Sequence, residues 1–141
     1  MSTRVITGVS NDPLLSRQQV EVISVGTTLT AADSGKIFLL SAAAGKVVTL
    51  PALQSGLNFK FVTALAFATD NWVIDSAEGD NIEGIIVVDG ASVPAVGEDQ
   101  INFVATAESL GDFVEFNCNG SKWYVSGVGA LAGSITATDP S

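Results

Sequence analysis

The stretch "NCNGSKWYVSG", residues 117–127, sets an Asn-Gly pair between two runs dense in aromatic and β-branched side chains. Before the pair, Val114, Phe116 and Cys118 alternate with Phe113, Glu115 and Asn117. After it, Trp123 and Val125 alternate with Lys122, Tyr124 and Ser126. A period of two is the spacing of strands with one buried face. Asn119-Gly120 accepts the positive φ angles of a tight hairpin turn. The stretch therefore reads as a β-hairpin, with Trp123 and Cys118 turned into a core. Cys118 is the chain's only cysteine, and a reactive thiolate needs a base beside it. The chain has no histidine and no lysine nearer than Lys122, so Cys118 reads as a small packed hydrophobe.

Outward from the hairpin the same pattern repeats. Short β-rich runs at 20–25, 36–41, 46–50, 58–64, 71–75, 83–88, 100–105, 112–118 and 122–127 are separated by "ADSG", "AAAGK", "LPALQSGL", "AEGDN", "VDGASVP" and "ESLGD". Helical periodicity is nearly absent, and many short strands closed by turn signals predict an all-β sandwich or barrel, jelly-roll-like. Residues 27–128 form the expected β-domain. Residues 1–26 read as an extended N-terminal arm with a lead-in strand, and the Gly- and Ala-rich residues 129–141 as a loosely held tail.

Composition narrows the function. Missing histidine removes the commonest general base and metal ligand at once. The net charge is -9, and no positive charge lies between Lys60 and Lys122 while that interval holds eleven carboxylates. Such a surface repels phosphate backbones and anionic lipid, so neither nucleic acid nor membrane is an expected partner. No secretory leader or membrane-spanning run is read, which leaves the "NGS" glycosylation triplet idle and points to synthesis in a cytoplasm. With 15% charged against 47% hydrophobic residues, the polar coat is thin enough to imply apolar surface covered by another chain.

Three motifs invite a chemical reading. Gly45-Lys46 lacks the upstream glycine and following Ser or Thr of a phosphate loop. "DSAEGDN", 75–81, offers hard oxygen ligands of the kind calcium favours, but not at EF-hand spacing, and reads as a solvated acidic turn. Glu98 with Asp99, or Asp112 with Glu115, could be named as a carboxylate pair for glycoside hydrolysis; adjacent strand residues diverge, and nothing singles out another pair. No catalytic residue, metal site or cofactor is expected, and the chain reads as non-enzymatic.

Three segments in order, "TTLTAADSGKIFLLSAAAGKVVTLPALQSGLNFKFV", "EGDNIEGIIVVDG" and "GDFVEFNCNGSKWYVSG", resemble a pattern found in head decoration (cement) proteins of tailed bacteriophages. The resemblance covers roughly residues 27–128 and rests on turns and core positions. It implies a β-domain that assembles, commonly as a homotrimer, on the major capsid protein at the virion surface. A tail-fibre or receptor-binding module contacting host carbohydrate is the alternative, for which Trp72, Trp123 and Tyr124 would form the sugar platform. In the arm, Asp12-Pro13 breaks any regular element, and Arg4, Val5, Ile6, Leu14, Leu15 and Arg17 are the residues expected at a capsid or subunit interface.

Overall fold

The computed structural model describes residues 17–77, 79 and 81–140. Among the described residues twelve strands form two sheets: β1 (Val20–Ile23), β2 (Thr27–Thr28), β3 (Ile37–Leu40), β4 (Val47–Leu50), β5 (Asn58–Thr63), β6 (Trp72–Ser76), β7 (Ile82–Val88), β8 (Ala91–Glu98), β9 (Gln100–Phe103), β10 (Phe113–Cys118), β11 (Trp123–Gly129) and β12 (Ile135–Thr138). The larger sheet runs β1-β3-β5-β10-β11-β7-β8, and the smaller β12-β9-β6-β4-β2.

The path through these sheets has two styles. From β1 to β6 the chain steps alternately between sheets, so that β1, β3 and β5 stack in parallel in one and β2, β4 and β6 in the other. From β7 onward it makes a hairpin in the large sheet, crosses to the small one, and repeats: β7–β8 then β9, β10–β11 then β12. The all-β sandwich is as expected. It differs from a jelly roll, whose strands are antiparallel, in that five of the ten strand pairings are parallel. The last strands of the two sheets, β8 and β12, lie against each other and close one side.

One core fills the space between the sheets. Along the large sheet it is aromatic: Phe38 stacks on Phe61 at 5.5 Å, Phe61 meets Phe116 edge-on at 5.9 Å, and Trp123 contacts Phe116 and Phe59 at 6.2 and 5.9 Å. Offset and edge-on contacts are the favoured arrangements of aromatic quadrupoles. Val48, Leu50, Trp72, Ile74, Ile101, Phe103 and Ile135 answer from the small sheet, all essentially inaccessible.

The hairpin forms as expected, with Cys118 opposite Trp123 and both buried. Its turn is different. Only Gly120 has a positive φ, +97°, and the loop spans Asn119 to Lys122. Asn119 Oδ1 accepts from the backbone N–H groups of Ser121 and Lys122, both at 2.8 Å, so the amide side chain builds the turn. The two-residue turn with both φ angles positive lies instead at Asp89-Gly90, joining β7 to β8.

Two expectations at the ends are corrected. Residues 135–138 are not a loose tail: β12 pairs along β9 from Ile135–Phe103 to Thr138–Gln100, and Ile135 is wholly buried. The lead-in strand is likewise part of the sheet. β1 pairs with β3, and the Gln19 carbonyl already accepts from the Ile37 N–H at 2.9 Å, so the packed domain begins before residue 20.

Candidate functional site

Strand order turns alternation into surfaces. On the large sheet the residues facing away from the core line up in rows across the strands. One row reads Val22, Leu39, Val62, Phe113, Val128 and Val87, apolar on six successive strands, β1 to β7. The next reads Val20, Ile37, Lys60, Glu115, Ser126, Ile85 and Pro94. A third holds Asn58, Asn117, Tyr124, Glu83 and Val96. Val22 is 62% exposed and Val96 73%, with Val20, Ile85, Val87 and Val128 also open. Monomers seldom leave a contiguous apolar field of this kind in water.

The charges on this face come in pairs. Lys60 Nζ lies 3.6 Å from Glu115 Oε1 and 4.6 Å above the Phe113 ring, and Lys122 Nζ lies 3.7 Å from Glu83 Oε1. At the near edge, Lys36 Nζ donates to both Glu21 Oε1 and Asp33 Oδ1 at 3.0 Å. The Thr30 backbone N–H and then the Lys36 ammonium hold the Asp33 carboxyl below its ordinary range, and hydrogen bonds to Asp33 and Glu21 raise the Lys36 ammonium above its own. Beside the apolar rows a notch of about 180 Å³ is lined by Gln18, Lys36, Asn58, Lys60, Glu115 and Asn117, with Phe59 and Phe116 behind.

The candidates from sequence fall elsewhere or take structural parts. Arg4, Val5, Ile6, Leu14 and Leu15 lie outside the described residues. Arg17 is exposed just before β1. Cys118 is buried, its Sγ accepting from the Gly120 N–H at 3.4 Å. Asp112, named beside Glu115, is buried and accepts from the Ser109 and Ala130 backbone N–H groups at 3.0 Å, tying the start of β10 to the end of β11. Asp99 is buried while Glu98 is half-buried, and Lys46 is exposed in the step into β4. In the acidic turn Asp75 Oδ1 accepts from Gln100 Nε2 at 3.2 Å and Ser76 donates to Asn81, while Glu78 and Asp80 are outside the described residues. Trp72 and Trp123 are fully buried in the core, leaving Tyr124, 48% exposed, as the one open member of the aromatic trio.

Among the described residues no three His, Cys, Asp or Glu side chains gather as a metal set, and no helix is long and apolar enough to cross a membrane. No family model, no curated protein and no solved structure matches this chain. What the molecule presents is therefore read from its own geometry: an all-β sandwich carrying one broad apolar face. The single-strand alternation held the signal for that face, but it emerges only when non-adjacent strands are set side by side.

Proposed function

We propose that this chain is a non-enzymatic structural protein of a phage virion, decorating the capsid and stabilising it by binding across capsid subunits. The observation that carries this reading is the apolar row running over six strands of the large sheet, since a domain with such an outer face is complete only within an assembly. The resemblance of residues 27–128 to head decoration proteins supplies the kind of assembly. A protein that binds the assembled shell and not its free subunits stabilises the shell by mass action. The first sixteen residues, with Arg4, Val5, Ile6, Leu14 and Leu15, are the proposed capsid-docking segment, followed by Arg17.

Electron microscopy of particles purified from the phage that encodes the chain, labelled with antibody against it, tests this reading. Regular label on the head lattice supports it; label confined to the tail, or none, overturns it. Removal of residues 1–16 should leave the thermal transition nearly unchanged and abolish co-sedimentation with undecorated heads. The cut belongs at 16 because Gln18 and Gln19 already bond to the β3 end of the sheet.

The carbohydrate reading keeps one supporting observation. Tyr124 stands next to Asn117 and Asn58 in the third row, at the rim of the polar notch, an arrangement of ring and amides suited to sugar hydroxyls. A glycan array with the purified chain, and with Tyr124→Ala as control, decides between the two.

A further inference from the structure

We propose that the outer face of the large sheet is covered by a second copy of this chain, packed face to face about a two-fold axis that runs along the strands between β5 and β10. This inference does not rest on the capsid reading and would hold for a chain of any function with this face.

The argument is in the order of the residues across the sheet. The apolar row occupies β1, β3 and β5 on one side of that axis and β10, β11 and β7 on the other, so its midpoint lies between β5 and β10. Rotation about such an axis lays β5 over the partner's β10, β3 over its β11 and β1 over its β7. Val62 then faces the position of Phe113, Leu39 that of Val128, and Val22 that of Val87: apolar on apolar at every step. In the second row Val20 faces the position of Ile85, Ile37 that of Ser126, and Lys60 that of Glu115. In the third, Asn58 faces Asn117, amide to amide. The one cation of the central rows thus meets the one anion, in both directions. An isologous contact requires this reciprocity, residue i on j and j on i. Aligned sheet packing keeps facing strands within about 30° at about 10 Å separation, so the row correspondence holds close to the axis.

Size and charge agree. Six strands at roughly 4.8 Å spacing and about 20 Å of strand length make a face of roughly 600 Å². Two such faces bury roughly 1,200 Å², the lower bound of a stable specific interface. The chain carries a net charge of -9, yet Lys60 with Glu115 and Lys122 with Glu83 leave this face neutral. A basic partner would find no counter-charge here, whereas a second copy of an acidic chain can approach on this side without like-charge contact. A face complementary to itself about one axis closes as a pair; a ring of three needs two different patches.

The test uses the full chain at micromolar concentration with mass read by light scattering. The parent should have the mass of two copies. Lys60→Glu and Glu115→Lys should each fold with an unchanged circular dichroism spectrum and show the mass of one copy, because each alone sets like charges against each other across the axis. Mixed in equal amounts, the two variants should regain the two-copy mass. In the mixed pair the two acids of one chain, at positions 60 and 115, face the two lysines of the other, so opposite charges meet only between unlike chains. That rescue cannot come from the ion pair within a chain. Should either charge variant fail to fold, Val128→Lys, which leaves Lys60 and Glu115 in place, should fold and give one copy. A one-copy or three-copy mass for the parent, a two-copy mass for a variant alone, or a mixture that stays at one copy each overturns the proposal. A pair in solution with no label on heads would sink the capsid reading alone.

Discussion

The outer faces of the two sheets are built from strands of the same kind and end up opposite in character. Across the small sheet one outward row is Thr28, Thr49, Asp75, Gln100 and Thr138, polar on all five strands, and the next is Val47, Val73, Asn102 and Thr136, apolar on two strands and polar on two. Its side chains bond to one another: Gln100 Nε2 to Asp75 Oδ1 at 3.2 Å, and Asn102 Nδ2 to Thr138 Oγ1 at 2.9 Å. That is the ordinary outside of a sandwich, where alternation puts apolar groups in and polar groups out. The large sheet has its aromatic cluster inside and, outside, a row of five aliphatic side chains and Phe113. The small sheet's outer face is thus the more polar of the two, and the continuous apolar row belongs to the large sheet.

Four measurements test this contrast. The largest effect is expected on the inner side of the large sheet. Trp123→Ala removes the ring wedged between Phe59 and Phe116 and should cost about 3–5 kcal/mol in chemical denaturation, with soluble yield falling in step. A variant that melts like the parent and loses glycan binding would instead make Trp123 a ligand residue.

Next comes Gly84→Ala on β7. At φ +146° the residue sits where side chains rarely go, and an added Cβ would stand 2.0 Å from the Val125 carbonyl oxygen. Since backbone must shift, a loss of at least about 1–3 kcal/mol is expected from the same denaturation series. A neutral result would mean that the β7–β11 pairing is looser than it looks.

On the outer side, stability and association should separate. Val128→Lys removes no core contact, so its unfolding free energy, measured with the protein dilute, should lie within about 0.5 kcal/mol of the parent. The equivalent change on the small sheet, Thr49→Lys, should be as mild and should leave the molecular mass alone. If both substitutions alter the mass, or neither does, the contrast between the faces fails.

The smallest effect is electrostatic. The lowered Asp33 carboxyl contributes stability that is complete above its ordinary 3.8 and is lost as pH falls through the lower folded value. The raised Lys36 ammonium contributes stability that is complete below its ordinary 10.5 and is lost as pH rises through the higher folded value. The gap in melting temperature between the parent and Lys36→Met should therefore be steady at neutral pH and close at both extremes. A gap that is independent of pH would assign the effect to the lysine stem.

Much of the fold is legible from residues because β-branched and aromatic side chains repeat every two positions and Gly, Asp and Asn punctuate them. What escaped has identifiable causes. β8, "ASVPAVGE", hides behind Pro94, Gly97 and two alanines; proline is tolerated there because β8 is the last strand of its sheet. β12, "ITAT", follows a Gly- and Ala-rich run that resembles a tail, and only its pairing with β9 draws Ile135 inward. The parallel stacking of β1, β3 and β5 leaves no local mark, since its partners are joined through the other sheet with no hairpin turn between them. The apolar outer face follows from that stacking. Val22 and Val87 are 65 positions apart in sequence, yet they lie in one row once β10 and β11 stand between β5 and β7.

That insertion has a consequence for how the chain is made. The middle of the large sheet, β10 and β11, is synthesised last among its strands, after β5 and β7 have already left the ribosome. At roughly 5–20 residues per second, the about fifty residues between β5 and the end of β10 take several seconds to emerge. Throughout that interval β5 lacks its β10 neighbour, and Phe59 and Phe61 lack their Trp123 and Phe116 contacts; an unpaired strand edge with incomplete packing is what recruits chaperones or a neighbouring nascent chain. Two chains on one message could each offer β5 to the other before either has its own β10, so slowing translation just upstream of Phe113 should raise the aggregated fraction without changing the finished protein.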